Sequence, residues 1–256
     1  MRRLLTAAVL VAFATAAPAQ FMPEKLTPLG EKIEAAMKSD IRTADEKARD
    51  AERKPRQKLE FMGLKEDMRV IELIPSGGWF TKILAPVLAE KGELYVAIGT
   101  ERAVAPLIKN TPALSKVKIA PTDAKMVMGQ QMGFFDLEIT TLGVNDADLV
   151  VTFRNLHNLT AKGRANLNQA VWNSLKPGGL YGVVDHTRRH NEPASPENGR
   201  RIDPVLVIKE IQDAGFILDR YSNLHYKPDD ELRYEVGRKT VTGNTDRFLM
   251  VFRKVE

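Results

Sequence analysis

The chain of 256 residues contains no cysteine. Disulfides are therefore excluded, and a packed apolar core has to hold the fold together. A composition that is 43% hydrophobic can supply such a core for one α/β domain. Beyond the N-terminus no stretch is apolar enough to cross a membrane. Blocks of basic residues are also missing: Lys and Arg are interleaved with acids, and the formal net charge is only +5, which argues against a nucleic-acid partner. Internal repeats and low-complexity tracts are absent. So is the phosphate-binding pattern G-x-x-x-x-G-K-[ST].

The N-terminus is a different matter. Arg2 and Arg3 precede an apolar run over residues 4–17, and Ala17-Pro18-Ala19 forms a small-x-small cleavage site. This is the pattern of a secretory signal peptide over residues 1–19, which makes the protein an exported, periplasmic one; the alternative is an N-terminal anchor. Cleavage would lower Lys plus Arg from 38 to 36 against 33 acids, a net charge of +3. Residues 20–54 read as a polar helical arm, with a capping box at Thr43-Ala44-Asp45-Glu46. Its charge run is either a solvated helix face or a cover in which Arg49, Asp50 and Arg53 close over a ligand pocket. Residues 55–256 then form the α/β domain.

The organising stretch of that domain is residues 69–81, R-V-I-E-L-I-P-S-G-G-W-F-T. An apolar β-branched run is broken by Pro75-Ser76-Gly77-Gly78, and a helix can start at Trp79. In a parallel sheet such a turn lies at the carboxyl edge of a strand, where ligands bind. Glu72 just ahead of it suits a cationic or hydroxyl-bearing ligand better than a phosphate.

Further strands are expected over residues 94–98, 117–120, 149–153, 180–184, 216–221 and 248–252, with helices between most of them. This order selects a Rossmann-like, doubly wound α/β fold: a mostly parallel seven-stranded sheet with a closing antiparallel hairpin. Met126, Met128, Phe134 and Phe135, in residues 126–135, read as core packing. Residues 187–199 read as a loop or lid, and residues 223–246 as a hairpin or substrate-side insertion. Arg154-Asn155-Leu156-His157 follows the fourth strand, and Asp185-His186 ends the fifth; both groups sit at the functional edge. His157 and His186 are candidate proton acceptors. Together with Asp185 they are also a conceivable metal set, but neighbours such as Asp185 and His186 point to opposite faces of a strand, so no metal is expected.

The string Glu72-x-x-x-Ser76-Gly77-Gly78 resembles the first motif of class I S-adenosylmethionine (SAM)-dependent methyltransferases, E/D-x-G-x-G-x-G. Glu72 matches its acid and Gly78 its last glycine, while Ile74 and Ser76 stand where glycines are usual. E-L-I-P-S-G-G-W-F-T-K-I-L-A-P is similar to a branch of predicted secreted bacterial methyltransferases, and L-K-P-G-G before the fifth strand is frequent in the class. The resemblance implies SAM as cofactor, with Glu72, Pro75, Ser76, Gly77, Gly78 and Trp79 around it. It offers Glu101 as the ribose acid and Asp123 at the adenine. Arg154, Asn155, His157, Asp185 and His186 would lie beside the transferring methyl and a small-molecule acceptor. The alternative is an exported, non-catalytic small-molecule binding module on the same fold, because SAM is made in the cytoplasm.

Overall fold

The computed structural model describes residues 26–129 and 133–255. The expected signal segment lies outside the described residues. In chain order the elements are helices α1 (Pro28–Lys38), α2 (Ala44–Ala48), α3 (Asp50–Arg53) and α4 (Pro55–Phe61), then β1 (Arg69–Leu73), α5 (Thr81–Leu88), β2 (Glu93–Ala97), α6 (Val104–Asn110) and β3 (Lys118–Ile119). There follow β4 (Lys125–Met128), β5 (Phe135–Glu138), β6 (Ala147–Phe153), α7 (Ala161–Ser174), β7 (Leu175–His186), α8 (Pro204–Asp213), β8 (Ile217–Ser222) and β9 (Arg247–Arg253).

The main sheet has seven strands in the order β3-β2-β1-β6-β7-β9-β8. Neighbours from β3 to β7 are parallel, and β9 runs opposite to both β7 and β8. The expected doubly wound sheet with its antiparallel closure is therefore present. Strand order reverses between β1 and β6, which places the ligand crevice of such a sheet outside their carboxyl ends.

Successive strand residues face opposite sides, and the core divides accordingly. Ile71, Leu73, Val150, Met250 and Phe252 pack with α7 and α8 on one side. Val70, Leu149, Val151, Leu249 and Val251 pack on the other with Leu59, Ile83 and Leu84. Ile33 and Ala36 of α1 belong to that second cluster, so the arm shares the core of the domain. Lys82 fastens the arm further by reaching Glu46 at 2.9 Å, and within the arm Arg42 binds Asp50 through both terminal guanidinium nitrogens at 2.6 and 2.8 Å.

Two expectations are corrected. Of residues 126–135 expected in the core, Phe135 packs against it, whereas Met126 and Met128, on a separate antiparallel pair of β4 and β5, are exposed with Val127. The hydrophobic pattern misled because β4 belongs to a separate two-stranded sheet in which β5, through Phe135 and Leu137, makes the core contacts. Residues 223–246 contain no strand among the described residues; the segment is held by a buried ion pair between Arg201 and Asp230 at 2.8 Å.

If the arm is part of the cooperative unit, truncating a completely buried side chain on it should cost as much as truncating one in the sheet. Ile33, at 0% exposure, tests this. Ile33→Ala is expected to lose about 2–4 kcal/mol in urea unfolding with a single transition retained. A loss under about 0.5 kcal/mol would make the arm a loosely attached segment.

Candidate functional site

β1 ends in a turn whose backbone is more telling than its side chains. Ile74, Ser76 and Gly78 all have positive φ, of 49°, 51° and 77°. These are the three positions where the family motif carries glycine. Non-glycine residues in this region cost about 1–2 kcal/mol each, and a β-branched one is an outlier. The chain thus keeps the glycine conformation at two positions that lack the residue favouring it. One bond from outside and one within the turn hold it there: Ile74 N donates to Ala97 O of β2 at 2.8 Å, and Gly78 N to Pro75 O at 2.9 Å. Gly78 is bound to be glycine twice over, since a Cβ would lie 2.6 Å from Leu107 as well as at an unfavourable φ.

Asn155, buried just past β6, joins the two central strands at their ends. Its Nδ2 donates to Leu73 O at 3.2 Å and to Thr152 Oγ1 at 3.1 Å. Arg154 beside it is also in the left-handed region, at φ 64°, with its N–H donating to Val184 O at 2.7 Å. Between the turn and these residues lies a cavity of about 280 Å³, lined by Glu72, Pro75, Ser76, Gly77, Trp79, Arg154 and Asn155 together with Arg49 and Arg53 of the arm. Of the arm residues considered for a cover, Arg49 and Arg53 line the cavity, whereas Asp50 is taken by Arg42. Apolar walls come from Phe80, stacked on Phe153 with centroids 3.6 Å apart, and from Trp79, overlain by the guanidinium groups of Arg53 at 4.3 Å and Arg42 at 4.7 Å.

The electrostatics of the cavity are one-sided. Burial pushes the Glu72 carboxyl up to about 8, against a hydrogen bond from Thr81 Oγ1 at 2.6 Å that favours its ionised form. At neutral pH it is mostly protonated. Burial, reinforced by Arg154 and Arg49, lowers Arg53 to about 9; burial, then Arg247 and Arg49, lowers Arg154 to about 10. Lys58, fully enclosed behind them, is pushed well below the ordinary lysine range by burial and by the same cations. Residue typing alone did not reveal Lys58 and Arg247 as part of this group, because a lysine on a polar helix and an arginine opening a strand read as exposed. His225, in the loop after β8, is 3% exposed and lowered to about 2 by burial, with Lys58 and Arg247 adding to it.

His157 belongs to a second cavity of about 220 Å³, with Thr160, Arg164 and Arg188. Its Nδ1 is 2.5 Å from Asp185 Oδ1, and its backbone N–H donates to Asp185 Oδ2 at 3.1 Å. Asp185 also accepts from His186 N at 2.7 Å, so the carboxylate is enclosed by donors. This orients the imidazole and leaves Nε2 as the nitrogen free to take a proton. The His186 ring lies 6.0 Å from that of His157, bonds Thr245 Oγ1 at 3.0 Å, and is held well below the ordinary histidine range by burial and by Arg247. His186 is therefore neutral and engaged.

The structure thus brings together Glu72, Pro75, Ser76, Gly77, Trp79, Arg154 and Asn155, with Gly78 at the base of the turn. His157, Asp185 and His186 form an adjoining group along β6 and β7. Glu101 and Asp123 do not join either. Glu101 is exposed beside α6, in a hollow with Ile108 and Ile119. The Asp123 carboxylate accepts from Thr140 N and Thr141 N at 3.0 Å, and these bonds, led by the Thr140 hydroxyl, lower it to about 2. Its role in the fold is to close a turn.

No family model matches the chain, and no curated protein is similar to it in sequence. Among solved structures it is similar to a SAM-dependent methyltransferase from Aquifex aeolicus, at 18% identity and a TM-score of 0.54, over 88% of this chain and 98% of that one. It is similar to human N-acetylserotonin methyltransferase in complex with SAM, at 14% identity and a TM-score of 0.52, over 89% of this chain and 57% of that one. The [4+2]-cyclase SpnF matches with a TM-score of 0.55 at 14% identity, over 89% and 93%. At such identities the likeness establishes the fold, that of class I SAM-dependent methyltransferases. It lends no support to the secreted bacterial branch.

Glu72 supplies a pH test of the site. A carboxyl whose folded pKa is raised favours the native state below its unfolded pKa, near 4.5, and that advantage is lost as pH rises toward about 8. Glu72→Gln keeps the neutral shape without the titration. The variant should match the wild type near about pH 5 and exceed it in urea unfolding by on the order of 2 kcal/mol at about pH 8. A difference that does not change with pH would mean that Glu72 is ionised in the native protein.

Proposed function

We propose that the protein is a SAM-dependent methyltransferase acting on a small-molecule acceptor. The observation that carries this reading is the turn after β1: φ is positive at residues 74, 76 and 78, the three positions at which the motif carries glycine, in the crevice where strand order reverses. Gly77 fits a bound cofactor, since a Cβ placed there meets nothing within 4 Å and would project into free space at the cavity wall. Pro75, Ser76, Gly77 and Trp79 are the residues that would hold the cofactor. Bound there, SAM supplies an electrophilic methyl group on a sulfonium. The work of the chain is then to position and to accept a proton. Asn155 fixes the turn against β6, Phe80, Phe153 and Trp79 exclude water, and His157, oriented by Asp185, takes the acceptor's proton at Nε2.

A second reading is favoured by one observation. Glu101 lies outside the cavity, so the acid that the family places at the ribose has no counterpart there. A binding module, or an enzyme of another reaction on this fold, would not need that acid, and SpnF is a cyclase with a comparable fold.

Gly77→Leu separates the two. The site is exposed, a Cβ there meets no protein atom within 4 Å, and φ is not positive, so thermal stability should stay within about 1 kcal/mol. Calorimetric titration should find saturable binding of SAM and S-adenosylhomocysteine to the wild type, and at least about tenfold weaker binding to the variant. A folded wild type that gives no heat with either ligand would overturn the methyltransferase reading.

A further inference from the structure

The acids around the cavity are all committed, and its guanidinium groups are not. Glu46 is bound by Lys82 at 2.9 Å, Glu52 by Arg247, and Glu72 by the Thr81 hydroxyl at 2.6 Å. Asp50 is held by both nitrogens of Arg42. Among the described residues no carboxylate lies within ion-pairing distance of Arg49, Arg53 or Arg154, although all three line the cavity. Arg53 is 6% exposed and its Nε is buried without a partner. Arg247 is 3% exposed, and beyond its bond to Glu52 its Nε and Nη1 have none either.

Uncompensated charge of this kind is expensive to bury. Three arginines drawn from the arm and from the end of β6 line the cavity, Arg247 at the start of β9 is close enough to Arg53 and Arg154 to act on both, and Arg154 is held in a left-handed backbone conformation. A ligand without acceptor oxygens facing them would leave their donors unsatisfied, and an anionic group would answer both the donors and the charge. Guanidinium forks match the oxygens of a carboxylate or a phosphate.

We propose that this cavity binds an anionic group of the methyl acceptor, a carboxylate or phosphate, through Arg49, Arg53 and Arg154, with Arg247 behind them. The assignment of the anion to an acceptor rests on the methyltransferase reading; the anion site itself does not. The recognised group is not the one that reacts, because guanidinium bonds would draw electron density from a nucleophile. It anchors the acceptor, while His157 lies three residues beyond Arg154 on the same post-strand segment.

Trp79, which lines the cavity and is overlain by Arg53, is a built-in reporter. In a Trp172→Phe background its emission is followed while inorganic phosphate replaces chloride at constant ionic strength. A saturable change is expected, weakened at least about tenfold by Arg154→Gln and by Arg49→Gln. Arg49 is exposed, so its variant folds even where Arg154→Gln does not. The same titration is repeated with saturating S-adenosylhomocysteine, whose own binding is measured separately. Phosphate binding that persists beside it supports the proposal. Phosphate binding that it displaces assigns the arginines to the cofactor's carboxylate and overturns the acceptor assignment. No saturable phosphate response overturns the anion site. Phosphate binding without any S-adenosylhomocysteine binding keeps the anion site and sinks the methyltransferase reading.

Discussion

The Asn155 amide is the bond on which the site depends. It reaches from the end of β6 to the last carbonyl of β1, across the one place in the sheet where strand order reverses. Two chain segments separated by about eighty residues are thereby fixed relative to each other, and each leaves its strand through a left-handed residue, Ile74 on one side and Arg154 on the other. Neither residue favours that conformation by itself. The bonds of Ile74 to Ala97 and of Arg154 to Val184 come from the neighbouring strands, so the sheet as a whole holds the strained ends apart and the crevice open.

The second constraint is charge. The arm might have been a solvated helix face, and its sequence gives no sign otherwise beyond the positions of Arg49 and Arg53. In the folded chain α1 joins the core, Glu46 and Glu52 are bound by Lys82 and Arg247 from the domain, and the remaining arginines turn to the cavity. Neutralising the acids of the arm leaves its cations exposed to the crevice alone. The same pairs that fasten the arm therefore set the sign of the cavity's potential.

Much of this was legible from residues. Short continuous apolar runs and Gly-Gly or Pro-Gly-Gly breaks located the strands of the main sheet, and the order of elements selected its topology. The turn after β1 was found by its glycines. What the glycine pattern could not convey is that Ile74 and Ser76 adopt the glycine conformation anyway, Ile74 with its N–H bonded to Ala97 of β2. Met126 and Met128 were misjudged for a related reason: an apolar residue declares a wish to be covered, and only the three-dimensional arrangement decides whether a cover exists. Lys58, Arg247 and His225 were passed over because each is unremarkable in its own segment. Their burial arises where α4, the start of β9 and the loop after β8 meet.

The cationic crevice bears on the two altered glycine positions. A sulfonium ligand approaching Arg49, Arg53 and Arg154 meets repulsion, and the protonated Glu72 offers no charge to offset it. An anion seated among the arginines reverses that balance. Binding of the two ligands would then be coupled, with the anion raising the affinity for the sulfonium and, by linkage, the sulfonium raising the affinity for the anion by the same factor. In that arrangement the sulfonium would bind the empty crevice more weakly than the crevice with an anion in place, and the missing ribose acid and the strained turn would not have to supply all of the affinity themselves.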